Sequence, residues 1–241
     1  MVKSLGKFAL SASIMFVLTF TLSCSSDDGD VSGGAACPDT KTGDNTVTCG
    51  GKTYKTVKIG EQTWMAENLN YDASGSKCYG DSPANCTKYG KLYDWAAAMD
   101  FSSKCNSKSC KSNVSAKHRG ICPSGWHIPS NADWDKLMRK VDGTNGSSSP
   151  YDSQTAGKLL KADNGWNQNN GTDDFEFTAL PGGYGGSDGK YYFAGDQGSW
   201  WSTSEDRNYY AHYRKMDSKG NTATYDGSSK SSLYSIRCLQ D

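Results

Sequence analysis

The chain carries no surplus of either charge, since 26 Lys and Arg face 26 Asp and Glu among its 241 residues. Phosphate neutralisation needs clustered positive charge, so this balance argues against a nucleic-acid binder. Hydrophobic residues are scarce, at 35%, and mean hydropathy is -0.71, which on its own would suggest disorder. Histidine is rarer still: His118, His127 and His212 are the only ones, and no Gly-x-Ser-x-Gly nucleophile element lies beside any of them. Aromatic residues are plentiful. With 7 Trp, 14 Tyr and 7 Phe, each able to bury roughly 150–250 Å², the chain can build an aromatic core. Its length suits one globular domain with a short appendage.

At the amino terminus, Lys3 and Lys7 precede an apolar stretch from Phe8 to Leu22 that is too short, and too rich in Ser and Thr, to span a bilayer. This pattern reads as a signal peptide. Leu22-Ser23-Cys24 resembles the lipobox of bacterial lipoproteins, with Thr21 where that motif usually has Leu. The resemblance implies a signal peptide over 1–23 and a lipid on Cys24; an ordinary signal peptide cut later is the alternative. Residues 25–34 are Gly/Ser-rich and acidic and cannot bury enough surface to fold, so 24–51 is expected to be a lipidated flexible tether with a local disulfide. The Ser/Asp cluster after Cys24 also resembles the surface-export signal of lipoproteins in Bacteroidetes-like bacteria, a plain spacer being the other reading. The expected location is therefore the outer membrane, facing the cell exterior, with the lipid anchor as the membrane contact.

Of the nine cysteines, setting Cys24 aside leaves eight: Cys37, Cys49, Cys78, Cys86, Cys105, Cys110, Cys122 and Cys238. An even number in an exported chain reads as disulfides. Short spacings suggest Cys37 with Cys49, Cys78 with Cys86 and Cys105 with Cys110. That leaves Cys122 with Cys238, closing a loop of 116 residues worth about 4–5 kcal/mol by chain entropy. Zinc on Cys105, Cys110, His118 and Cys122 is the rival reading, disfavoured because it strands Cys238.

Lys52 to Trp64 alternates Lys and Thr with Tyr54, Val57, Ile59 and Trp64 around Gly60, predicting a hairpin that opens a single domain over 52–241. Asp94 can cap a short helix starting at Trp95. Ser130 and Asp133 form a capping-box-like start for a helix to Val141, with Trp134, Leu137, Met138 and Val141 on one face. A second helix is expected over Ser153–Ala162, and 78–88 and 101–117 read as loops. Short strands follow at 175–180, 191–193, 200–203, 209–216, 223–225 and 235–239. Helices before strands indicate an α+β fold with two main helices, short antiparallel strands and long disulfide-pinned loops.

Several stretches in order resemble the Fibrobacter succinogenes major paralogous domain. They are Tyr54 to Tyr71, with its Trp-Met-Ala-Glu-Asn-Leu core, Tyr89 to Met99, Cys122 to Ser130, Ala179 to Tyr184, Trp200 to Glu205 and Ile236 to Leu239. Exported, often lipid-anchored bacterial proteins make up that family. The Ile128–Trp134 stretch before a helix, the Trp-Ser element and the closing Arg-Cys strand also resemble the formylglycine-generating, sulfatase-modifying fold, a relative of the C-type lectin fold. Formylglycine chemistry is not implied, because no cysteine pair lies between Arg207 and Tyr234. Calcium-dependent sugar binding is not implied either, since the Glu-Pro-Asn and Trp-Asn-Asp signatures of such lectins are missing.

Lectin-like folds meet ligands with loops of the second half, where Trp166, Tyr184, Trp200, Trp201, Glu205, Tyr209 and Arg214 become candidates for stacking on and hydrogen-bonding to polysaccharide. A core role for Trp200 or Trp201 is the competing reading, because adjacent strand residues face opposite ways. Asn169, Asp173 and Asp174 offer oxygen ligands for a structural calcium, without the spacing of an EF-hand; otherwise no cofactor is expected. Glu67, Glu176 and Glu205 are scarce glutamates that no spacing joins into a catalytic pair. The expectation is a non-catalytic, surface-anchored polysaccharide-binding domain, with a structural module displaying a surface for protein partners as the alternative and an unrecognised enzyme as a weaker one.

Overall fold

The computed structural model describes Met1 and residues 36–38, 42–143 and 153–241. Apart from Met1, the signal peptide over 1–23, the lipidation site Cys24 and the tether at 25–34 lie outside the described residues. Among the described residues no helix is long and apolar enough to cross a membrane.

Thr42–Gly43 (β1) and Thr46–Cys49 (β2) lead into the predicted hairpin, Lys52–Ile59 (β3) and Gln62–Met65 (β4). It turns at Gly60, whose φ of 64° a side chain would strain. The first helices are Pro83–Tyr89 (α1) and Trp95–Ala98 (α2), followed by Trp126–His127 (β5), Asn131–Val141 (α3) and Ala156–Leu160 (α4). The remaining strands are Gly182–Gly185 (β6), Tyr191–Ala194 (β7), Gln197–Arg207 (β8), Tyr210–Asp217 (β9), Ala223–Ser229 (β10) and Leu239–Gln240 (β11). They form sheets in the orders β1-β2-β3-β4-β11-β5, β10-β9-β8 and β6-β7, with antiparallel pairing throughout. The result is a mixed helix and strand domain with four disulfides.

Caps form where the sequence places them. Asp94 accepts from the Ala97 N–H at 2.8 Å, and Ser130 and Asp133 complete a capping box at the start of α3. Three expectations need correction. The 78–88 loop contains α1, because Pro83 sits in its first turn and Cys86 and Tyr89, three residues apart, supply a buried stripe. The helix over 153–162 shortens to α4, since Ser153 bridges to Ala223 and Lys161 to Ala179. The strand at 175–180 is absent, because Glu176 and Thr178 take left-handed φ values of 52° and 51°. Folded structure also begins earlier than Lys52: β2 pairs with β3, and Val47, Cys37 and Cys49 are buried.

The disulfides join Cys37–Cys49, Cys78–Cys86, Cys105–Cys110 and Cys122–Cys238, the pairs the spacing suggests. Sulfur is thereby unavailable to zinc, and His118 Nε2 instead meets the Met99 carbonyl at 2.8 Å.

Two aromatic cores flank β8. Trp201 belongs to one, with Trp95, Trp126, Tyr93 and Tyr234; Trp200 belongs to the other, with Trp64, Trp134 and Phe177. Just before the last strand, Arg237 is 1% exposed and lies against Phe177 and Trp200 of the second core. Its Nε and Nη2 donate to Asn68 Oδ1 at 3.1 and 2.7 Å, and further bonds reach the carbonyls of Met65, Phe177 and Thr178. Trp200 Nε1 donates to the same Asn68 oxygen at 2.8 Å. Burial lowers the Arg237 pKa to about 9, with Asp173 and Glu67 opposing that shift from a distance. Left-handed backbone at Glu176 and Thr178 accompanies two carbonyls, of Phe177 and Thr178, turned onto the guanidinium.

His127 closes the six-stranded sheet. It is 3% exposed, with Nδ1 at 2.7 Å from Asp241 Oδ1 and Nε2 at 3.6 Å from Asp133 Oδ2. Desolvation works to lower its pKa, but the two carboxylates outweigh it and raise the value above the ordinary 6.5.

Two outcomes follow. Asn68→Ala strands the Arg237 fork and the Trp200 N–H inside the core; at about 1–3 kcal/mol per unsatisfied group, urea melts should show a loss of roughly 3 kcal/mol, and a loss under about 1 kcal/mol would contradict the role given to Asn68. The raised His127 pKa means its contribution is complete below the unfolded value and disappears as pH rises through the folded one. Stability should therefore decline from about pH 6.5 upward in wild type, with a flatter profile in His127→Gln; identical profiles would refute the coupling.

Candidate ligand-binding surface

Most of the sequence-level binding candidates turn out to be interior. Trp200 and Trp201 are both 0% exposed and Trp166 is 5% exposed, so none offers a ring to a ligand. Alternation does send Trp200 and Trp201 to opposite faces of β8, but each face is covered by its own core. Arg214, 1% exposed, pairs with Asp135 at 2.8 Å. The Glu205 side chain is 3% exposed and takes Lys230 Nζ at 2.7 Å, the Ser109 hydroxyl and the Cys110 N–H. Burial works to raise its pKa, yet these donors prevail and hold it below the usual carboxylate value. Tyr209 is 57% exposed, next to Tyr210 at 44%. Tyr184 is partly buried and stands at the centre of an aromatic surface.

That surface is the β6–β7 hairpin. Tyr184 lies opposite Tyr192 in the strand register, with ring centroids 5.4 Å apart. Phe193 comes within 6.0 Å of Tyr184 and 6.2 Å of Tyr192. In a regular strand Tyr192 and Phe193 would point to opposite faces; the left-handed φ of 61° at Phe193 breaks that alternation and brings both rings against Tyr184. Phe193 is nevertheless 54% exposed. Gly183 allows the close approach, since a Cβ there would lie 2.4 Å from the Tyr192 carbonyl oxygen and 2.6 Å from Tyr79 Cε2. Beneath, Tyr184 contacts Tyr234 at 5.4 Å, and Tyr234 contacts Trp201 at 4.5 Å, tying the surface rings to the core.

Carboxylates rim these rings. Tyr192 donates to Asp188 Oδ2 at 2.6 Å, and Tyr191, 5.3 Å from the Tyr79 ring, donates to Asp81 Oδ1 at 2.7 Å. Desolvation and then Asp81 push the Tyr191 pKa up to about 12, so the phenol stays a donor. Apolar ring faces with hydroxyl and carboxylate edges suit a ligand that is itself apolar on its faces and polar at its rim. The sequence signal was the Tyr-Tyr-Phe run behind the Ser-Asp-Gly turn, legible as a strand but not as a surface.

A second concavity, of about 790 Å³, is lined by Asp44, Lys55, Glu67, Asp173, Glu176 and Thr178 among others. Folding thus brings Glu67 and Glu176 to one cleft and leaves Glu205 elsewhere. Two of its carboxylates are engaged by their own chain: Glu67 accepts from Lys52 at 3.2 Å and from the Lys55 N–H at 3.1 Å, and Asp173 from the Thr178 N–H and hydroxyl at 2.7 and 2.8 Å.

The calcium candidates do not assemble. Among the described residues no group of three or more His, Cys, Asp and Glu side chains is placed to hold a metal. Asp173 is engaged with Thr178, Asp174 is exposed, and Asn169 donates its amide to the Gly220 carbonyl. The Lys161 ammonium reaches this loop, donating to the carbonyls of Asn169, Asp217 and Gly220 at 2.7, 3.0 and 2.9 Å, with its Nζ 4.9 Å from the centre of the Trp166 ring.

A family model described as the Fibrobacter succinogenes major domain matches residues 57–240, well over half of the chain, and the chain belongs to that family. No curated protein and no solved structure matches it.

With Lys161 supplying the positive charge, a chelator such as EDTA should leave the melting temperature unchanged. Lys161→Met should remove roughly 3 kcal/mol or more, by stranding buried carbonyls at about 1–3 kcal/mol each. Chelator-sensitive melting would reinstate a metal in this loop.

Proposed function

We propose that this member of the Fibrobacter succinogenes major domain family is a non-catalytic binding module that recognises polysaccharide through Tyr184, Tyr192 and Phe193, flanked by Tyr79 and Tyr191. The observation that carries the reading is Phe193, a bulky residue held 54% exposed in a left-handed conformation. Backbone strain of this kind costs about 1–3 kcal/mol and persists where the surroundings over-determine it, often at ligand sites. Here it places a third ring beside two tyrosines, and a row of ring planes is what a sugar chain stacks on.

The amino-terminal features support the setting: a lipid on Cys24 and a polar tether would hold the domain at the outer face of the outer membrane. A C-type-lectin-like or sulfatase-modifying-like architecture is supported by helices packed on antiparallel strands and by an Arg-Cys strand returning to the sheet. Display of a surface for protein partners is the second reading, favoured by the exposed Tyr209 and Tyr210 at the β8–β9 turn. Catalysis is less supported: glycoside cleavage needs a pair of available carboxyl groups, and in the acidic cleft Glu67 and Asp173 are already engaged by their own chain.

Pull-down on insoluble glucan and xylan, backed by a glycan array, tests this. Phe193→Ala and Tyr192→Ala should each reduce retention about tenfold, a loss of roughly 1.4 kcal/mol. Phe193→Gly should weaken binding while raising stability, since glycine relieves the left-handed strain. Failure of wild type to bind any glycan, or full retention by Phe193→Ala, would defeat the proposal.

A further inference from the structure

The groove between the β3–β4 turn and α3 is distinct from the aromatic hairpin and from the acidic cleft. Gly60, Glu61 and Gln62 line it from the turn, and Lys136, Arg139 and Lys140 from the helix, around a space of about 460 Å³. The three cations lie three and four residues apart on one helical stripe. The turn presses on the stem of Lys140, for a Cβ at Gly60 would come 3.0 Å from Lys140 Cγ.

One cation already holds a carboxylate. Lys136 Nζ lies 2.7 Å from Glu61 Oε2, and that side chain is 83% exposed; the Lys136 hydrogen bond lowers the Glu61 pKa. Arg139 and Lys140 are exposed and have no acidic partner among the described residues. Gln62, 7% exposed, donates Nε2 to the Asp133 carbonyl at 3.0 Å and leaves Oε1 without a donor among the described residues. The groove therefore combines two cations without an acidic partner among the described residues and a third on an exposed and displaceable carboxylate.

We propose that this groove binds the carboxylate groups of an acidic, uronate-bearing polysaccharide. Arg139 and Lys140 take the carboxylate, and Glu61 competes for Lys136 until the ligand displaces it. Charge complementarity selects an acidic ligand; that the ligand is a polysaccharide rests on the function proposed above, while the groove itself is a second site that does not depend on the hairpin.

Affinity electrophoresis of the full chain through gels containing polygalacturonate, with hydroxyethylcellulose as the neutral control, tests it. Polygalacturonate should retard the wild type, and added salt should weaken the effect because the cations are exposed. The Arg139→Gln/Lys140→Gln double variant should bind about tenfold more weakly, Glu61→Gln more tightly, and Phe193→Ala as wild type does. Equal retardation of wild type and double variant, or none of either, overturns the proposal. So does sedimentation with phosphatidylglycerol vesicles that needs Arg139 and Lys140 in the absence of polygalacturonate retardation, which reassigns the groove to a membrane surface. Loss of neutral-glycan retention in Phe193→Ala bears only on the hairpin, so the two readings fail separately.

Discussion

One buried guanidinium organises this domain. Arg237 can remain charged in the interior only if its N–H groups are satisfied, and every acceptor it uses is a neutral oxygen from one of two distant stretches: Met65 at the end of β4 with Asn68 just after it, and Phe177 with Thr178 before β6. A charge buried in this way tolerates no slack, because each missing acceptor leaves an uncompensated donor. The left-handed residues Glu176 and Thr178, the placement of Trp200 and the return of the last strand beside Cys238 all meet at this point. The stretches that resemble the family, Trp-Met-Ala-Glu-Asn, Trp-Trp-Ser and Ile-Arg-Cys, supply Met65, Asn68, Trp200 and Arg237 itself. Family membership therefore describes the scaffold around this charge.

The surface hairpin grows out of the same scaffold, since Tyr184 ends one of the stretches that resemble the family. Tyr184 rests on Tyr234 and Trp201, so the exposed rings are stiffened from below by the core. Rigid planes lose little freedom when a ligand docks. In the acidic cleft Glu67 and Asp173 are held by Lys52, Lys55 and Thr178 of the same chain.

Much of the fold was legible locally. Alternation over 52–65, the Asp94 cap and the Ser130–Asp133 box each depend on neighbours a few residues away, and cysteine spacing led to the pairs that form. The candidate site was less legible because burial is a tertiary fact. Alternation says correctly that Trp200 and Trp201 face opposite ways; it cannot say that both sides are covered. Arg214 and Glu205 look like solvated loop charges until Asp135 and Lys230, distant in sequence, are found beside them. Phe193 has the reverse problem, since a strand pattern conceals the single left-handed residue that turns it outward. A calcium loop was suggested by oxygen-rich side chains, whereas the oxygens that matter are backbone carbonyls around Lys161, which no composition discloses.

The strand β8 contributes adjacent tryptophans to two separate interiors, and that sharing leaves no seam along which one half of the molecule could open ahead of the other. Loss of either interior pulls on the same stretch of backbone, so the domain should come apart all at once. Half-open forms, the ones that proteases nick and that stick to one another, should then be scarce, a durable arrangement for a chain whose polar sequence gives it so little hydrophobic mass.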